Sequence, residues 1–210
     1  MHKIWNKSLL GIEINTSLSY SSVEIDESKI ISSNNEIYWM FGIVDRQTKE
    51  ARIRCVLNNR TKQKLLPIVK NYIYSNVDYD NMDLDDEDIS NEQISTATHI
   101  FSDCFRSYQI EDFKNLGLIL KRVNHSVWFG IGTLHTNTIE SLWHQIKQIT
   151  NNFAGITMEN LKKTFNNDEN KITDYLDEWL CFALYIRETR IKKLNWMGRI
   201  NLLASYLSID

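Results

Sequence analysis

The chain has 210 residues, 42% hydrophobic and 11% aromatic with six Trp, which excludes a disordered chain and suffices for one domain with a full core. Its start, MHKIWNKSLLGIEIN, lacks the apolar run of a signal peptide and no later stretch approaches a membrane span, so a soluble protein acting inside the cell is expected. The net charge of −3 is unevenly spread: Asp78 to Gln93 carries six Asp, two Glu and no base, and without it the chain stands at +5.

The elements follow in chain order. SVEIDESKI reads as a strand, and YWMFGIVDR as a second, almost continuously apolar one of the kind a sheet covered on both faces uses. In ARIRCVLN, Ala51, Ile53, Cys55 and Leu57 alternate with Arg52, Arg54 and Val56, a third strand with one face largely polar. The short DRQTKE between the second and third suits a hairpin, so these three strands are expected to form an antiparallel meander.

The period then changes. KQKLLPIVKNYIY has Leu65, Ile68, Val69 and Ile73 at helical spacing, with the one proline, Pro67, in the first turn or at a kink. After the acidic stretch come THIFSDC as a short strand, FRSYQIEDFKNLG as a helix ending at a glycine, and LILKRVNHS as another strand. TNTIESLWHQIKQIT puts Ile139, Leu142, Trp143, Ile146 and Ile149 on one helical stripe. Gly155 to Asp210 reads as mostly helical, strongest in YLDEWLCFALYIRE. Cys55, Cys104 and Cys181 are odd in number and widely spaced, which suggests reduced, buried thiols rather than disulfides or a zinc site.

Three strands, helix, strand, helix, strand, helix is the succession of ribonuclease-H-like folds, a mixed five-stranded sheet flanked by helices, here with a helical C-terminal extension. In such a fold Asp26 of the first strand and Asp103 at the end of the fourth would lie on adjacent central strands. Glu140, opening the long helix, would lie across them; the three are 77 and 37 positions apart. Gathered carboxylates repel one another unless divalent cations neutralise them, and hard cations such as Mg²⁺ prefer oxygen ligands. Two such ions about 4 Å apart serve phosphodiester chemistry. Plainer roles are open to the same residues. Asp26 could be a solvated strand residue, Asp103 could cap a helix starting at Phe105, and Asn137 with Glu140 resembles a capping box. Glu24 and Glu27 are read as peripheral charges.

The runs VEIDES, WMFGIVDR, SDCFRSY, VNHS and above all HTNTIESLWHQIK resemble the catalytic domain of Merlin-type DDE transposases, whose bacterial relatives are the ISXO-like insertion-sequence transposases. The likeness spans residues 22–152. It implies a ribonuclease-H-like domain there, with Asp26, Asp103 and Glu140 as the metal-binding triad for two Mg²⁺ or Mn²⁺ ions. It also implies DNA strand cleavage and strand transfer at transposon ends, with DNA as partner and a homodimer or higher assembly in the active complex. The nucleus is the expected location if the host is eukaryotic.

Around that triad, Asn137, Glu140, His144 and Lys147 share a helical face, so His144 and Lys147 could approach DNA phosphates; a solvated face would look the same. His125 and His135 occupy motif positions, His125 as a site-adjacent residue. Trp39, Trp128 and Trp143 are read as packing residues. Family members commonly carry an upstream zinc-binding or helix-turn-helix segment; residues 1–21 are a candidate remnant of one, 78–93 an acidic insertion loop, and 153–210 the helical extension. YLDEW, Tyr175 to Trp179, resembles the family's distal helix. Two other functions stand beside transposition: a domesticated or truncated derivative that binds DNA or protein without catalysis, and another ribonuclease-H-like nuclease such as a resolvase.

Overall fold

The computed structural model describes residues 22–33, 36–74, 98–103, 105–123, 135–151 and 157–199. Residues 1–21, the acidic loop 78–93, Cys104, His125, Trp128 and the last residues, 200–210, lie outside the described residues. In chain order the elements are β1 (Ser22–Ser33), β2 (Glu36–Asp45), β3 (Ala51–Leu57), α1 (Lys62–Tyr74), β4 (His99–Asp103), α2 (Ile110–Lys114), β5 (Ile119–Val123), α3 (Asn137–Asn151), α4 (Met158–Thr164) and α5 (Glu169–Ile191).

The five strands form one sheet in the order β3-β2-β1-β4-β5. β1 and β3 each pair antiparallel with β2, while β4 runs parallel to β1 and β5 parallel to β4. This is the expected meander continued by parallel strands, the ribonuclease-H-like arrangement. The DRQTKE turn closes as a hairpin because Asp45 Oδ1 accepts the N–H groups of Gln47 and Thr48 at 2.7 and 2.6 Å, the local side-chain bonding for which Asp is favoured in turns.

β2 separates two cores, which is why its sequence is apolar at nearly every position. Tyr38, Met40 and Val44 face α3, α4 and α5, while Phe41 and Ile43 face α1 and α2. The α3 stripe behaves as expected: Ile139, Leu142, Trp143, Ile146 and Ile149 are all buried. α5 lays Ile172, Leu176, Leu180, Ala183 and Leu184 into the same core. Cys55 and Cys181 are free and buried. Among the described residues no helix is long and apolar enough to cross a membrane.

Three details refine or differ from the sequence reading. Pro67 sits in the second turn of α1, where it leaves the carbonyl of Gln63 without its helical donor; both residues are exposed, so water can take that carbonyl. The face of β3 expected to be polar is partly covered, since Val56 is buried beneath α1. The helix expected over 105–117 is only Ile110–Lys114. Residues 105–109 turn instead, because Tyr108 is drawn into the core edge-on between Phe105 (5.6 Å) and Phe113 (5.9 Å). The terminating glycine is as expected: Gly117 takes φ 65°, and Leu118 N–H returns to Phe113 O at 2.9 Å.

β3 is an edge strand, and its outer hydrogen bonds need a partner. Asp177 on α5, within the YLDEW run, supplies one by accepting Cys55 N–H at 2.5 Å beside the Arg54 guanidinium at 3.4 Å. Burial pushes the Asp177 carboxyl up to about 6, an effect that Arg54 and the Cys55 N–H oppose. Asp177→Ala is expected to cost ~1–3 kcal/mol in denaturant unfolding by stranding that buried donor. Asp177→Asn, which retains an acceptor, is expected to cost less.

Candidate active site

The site is built where β1 and β4 part. Their parallel pairing runs through Ser22–His99, Val23–Ile100 and Glu24–Phe101. Two residues further along each strand come Asp26 and Asp103, level with one another past the last pair. In open sheets with parallel strands the crevice beyond their carboxyl ends is the usual place for ligands. The two-residue period of β1 turns Glu24 and Asp26 to the face covered by α3, where each meets that helix directly.

Asp26 is largely enclosed. Its Oδ2 accepts the indole N–H of Trp143 at 2.8 Å. Burial pushes its carboxyl up to about 6; the Trp143 and Glu27 N–H groups pull it down, and the charges of Asp103 and Glu140 push it further up. The charges of the other two carboxyl groups singled out in the sequence therefore both reach Asp26. Each also takes a protein donor nearby. Asp103 Oδ1 accepts the Phe105 N–H at 2.9 Å, and Glu140, exposed on the first turn of α3, accepts the Thr136 hydroxyl at 3.3 Å. Among the described residues, no three His, Cys, Asp or Glu side chains converge into a ready-made metal cage. In donor chemistry the set suits hard divalent cations, being three carboxylates from three elements around a partly buried anionic position.

The plainer alternatives resolve in part. Asp103 caps no helix at Phe105; its carboxylate instead stabilises the turn that replaces it. Asn137 is the first residue of α3 rather than its cap, so the capping-box register proposed for Asn137 and Glu140 does not form. Thr136 precedes the helix and spends its hydroxyl on Glu140.

Glu24 and Glu27, read from the sequence as peripheral charges, are both buried, and that reading is corrected. Glu24 is wholly enclosed, with Oε1 on Arg46 Nε at 2.8 Å and Oε2 on the Ile139 N–H at 2.8 Å. It does for α3 what a capping side chain would do locally. Glu27 lies on the opposite face, 3.3 Å from Arg60. Burial pushes its carboxyl up to about 8, the Asp26 charge adds to this, and Arg60 opposes it. The Arg60 guanidinium lies over the rings of Trp39 (3.8 Å) and Phe105 (4.4 Å), which gives Trp39 the packing role expected of it.

Asn137, Glu140, His144 and Lys147 are all exposed along α3. His144 Nε2 lies 2.9 Å from the Gln148 amide nitrogen. His135 borders the site from the approach to α3, its Nδ1 3.6 Å from Glu24 Oε1. His125 falls outside the described residues. Sequence reasoning missed Glu24, Arg46 and Gly42. A signal for Glu24 was present, since it stands two residues before Asp26 in a strand and so must share its face.

No family model matches the chain, and no curated protein matches it. Among solved structures it is similar to the HTLV-2 integrase catalytic core domain in complex with magnesium, in its dimeric form. That match has 12% identity, 80% of this chain, 85% of that one and a TM-score of 0.45. It is also similar to the catalytic domain of the Mos1 mariner transposase, with 13% identity, 98% of this chain, 89% of that one and a TM-score of 0.43. A third likeness is to a simian T-cell lymphotropic virus intasome in complex with the PP2A regulatory subunit B56 gamma. Its figures are 16% identity, 81% of this chain, 50% of that one and a TM-score of 0.41.

Proposed function

We propose that this chain is a DDE transposase of the Merlin type, cleaving and joining DNA strands at transposon ends. The observation that carries the reading is that Asp26 and Asp103 stand level where β1 and β4 part, with the charges of Asp103 and Glu140 both acting on Asp26. The HTNTIES signature around Glu140 supports it.

In this reading residues 22–152 form the catalytic domain. Asp26, Asp103 and Glu140 are the residues that would hold two Mg²⁺ or Mn²⁺ ions. When bound, the ions supply Lewis acidity, activating a water or a 3′-hydroxyl and stabilising the leaving oxygen of the phosphodiester. The chain's own groups prepare that site. The Trp143 indole orients Asp26, the Phe105 N–H orients Asp103, and Thr136 steadies Glu140. His144 and Lys147 lie along the same exposed face of α3 as Glu140, placed to meet backbone phosphates, with Asn137 at its start. His125 is assigned beside the site. Both transposon ends must be held together, so the active form is a homodimer or larger, working where the DNA is, in the nucleus of a eukaryotic host.

One observation favours a second reading, a derivative that binds DNA or protein without catalysis: the described carboxylates are not gathered into a closed set of three ligands. Plasmid nicking decides between the two. Nicking is expected with Mn²⁺ or Mg²⁺, to be lost on chelation and in Asp103→Asn, with DNA binding kept. DNA binding by the wild type with no nicking under either cation would replace the catalytic reading with the second.

A further inference from the structure

We propose that Arg46 and Glu24 are a positioning pair that sets all three carboxylate-bearing elements against one another, an inference that rests on the catalytic reading above. Arg46 follows β2, its side chain only 12% exposed, and its backbone N–H is tied to Ser22 O at 3.0 Å. One guanidinium reaches each element of the triad. Its Nε donates to Glu24 on β1 at 2.8 Å, its Cζ lies over the Phe101 ring on β4 at 3.4 Å from the centre, and it donates to the His135 carbonyl where the chain enters α3. Glu24 completes the frame by taking the Ile139 N–H of α3 with its second oxygen.

Each contact falls next to a member of the triad. Glu24 stands two residues before Asp26 on the same strand face, Phe101 two residues before Asp103, and Ile139 directly before Glu140. A shift of α3 along β1, or of β4 away from it, therefore breaks one of these contacts before it can separate the carboxylates. The residue types suit the task. A guanidinium can stack on an aromatic face while donating in its own plane, which an ammonium cannot do. A carboxylate suits the third N–H of a helix, where an unsatisfied donor and the positive end of the macrodipole coincide. Thr136, the local candidate for that cap, is engaged with Glu140.

Altering one partner of a buried ion pair also costs stability, so the role in geometry is read from metal affinity and nicking rather than from stability alone. Arg46→Lys keeps the charge beside Glu24 but loses the fork and the stack. Glu24→Gln keeps the shape. For both, Mn²⁺ affinity measured by calorimetry without DNA is expected to weaken about 10-fold, and nicking at saturating Mn²⁺ to slow about 10- to 100-fold, the range for groups that hold metal ligands in place. Unfolding is expected to stay cooperative. A lowered melting temperature with wild-type Mn²⁺ affinity and nicking rate, both measured well below melting, would show a structural role only and overturn the proposal. Should both variants fail to fold, Phe101→Leu removes the stacked ring alone. A slowed nicking rate in that variant supports the pair, and an unchanged rate overturns it. Wild-type nicking that Asp103→Asn abolishes but Arg46→Lys leaves intact removes the pair and keeps the catalytic reading. Mn²⁺ binding that depends on Arg46 without any wild-type nicking removes the catalytic reading and keeps the pair.

Discussion

Asp26→Asn is expected to yield a protein that unfolds less readily than the wild type and no longer nicks DNA. The two effects share one cause. Burial holds the Asp26 carboxyl at about 6 against an ordinary 3.8, and the neighbouring acids Asp103 and Glu140 add to it. Between those values the folded protein keeps a proton that the unfolded chain has released. Stability from this group therefore falls as pH rises through that window and is level above it. At pH 8 the ionised side chain costs up to ~3 kcal/mol, and an amide, still able to accept from Trp143, escapes most of that cost.

Urea unfolding at pH 5 and pH 8 would measure the difference, which is expected to widen with pH. Glu27 contributes a decline of its own between 4.5 and about 8, eased in the variant because the Asp26 charge is one of its causes. Activity moves the other way. Under the proposed function, loss of a carboxylate that would hold a Lewis-acidic cation is expected to forfeit several kcal/mol of transition-state stabilisation, on the order of 10³-fold in nicking rate. In the wild type, cation binding is expected to weaken about tenfold per pH unit below about 6, where protons compete for Asp26. A variant less stable than the wild type at pH 8 would contradict this electrostatic account.

Gly42→Ala is expected to destabilise the fold by ~2–3 kcal/mol, the upper range for overpacking a filled core. Alanine ordinarily suits a strand better than glycine by ~0.5–1 kcal/mol, so the sign itself is informative. Gly42 pairs with Asp26 across β1 and β2, and the Trp143 ring lies directly on it. A methyl group there would sit 2.4 Å from Trp143 Cη2 and 2.9 Å from Cζ2. The indole must then lift, and its N–H leaves Asp26. Chemical unfolding followed by tryptophan emission would report both the lost stability and the altered ring environment. Trp143→Phe, smaller and without the N–H, is expected to recover part of the loss when combined with Gly42→Ala, giving a coupling of ~1 kcal/mol or more.

The succession of strands and helices was legible in the sequence because period and composition are local. Alternation in ARIRCVL, apolarity throughout β2 and the five-residue stripe of α3 each follow from which faces must be buried. The shortening of the helix after Asp103 was not legible. Its cause is the burial of Tyr108 between two rings, a contact that local propensity does not encode.

The sequence by itself determined the architecture and placed an acid on β1, another at the end of β4 and a third on the first turn of α3, because element identity and strand facing follow from short-range patterns. Only the tertiary structure decided that Glu24 and Glu27 are enclosed rather than peripheral. It alone decided that a distant glutamate caps α3, and that Trp143, seated on Gly42, is aimed at Asp26. These are matters of which surfaces meet between distant parts of the chain, and the free energy of a buried charge depends on partners that no local stretch contains.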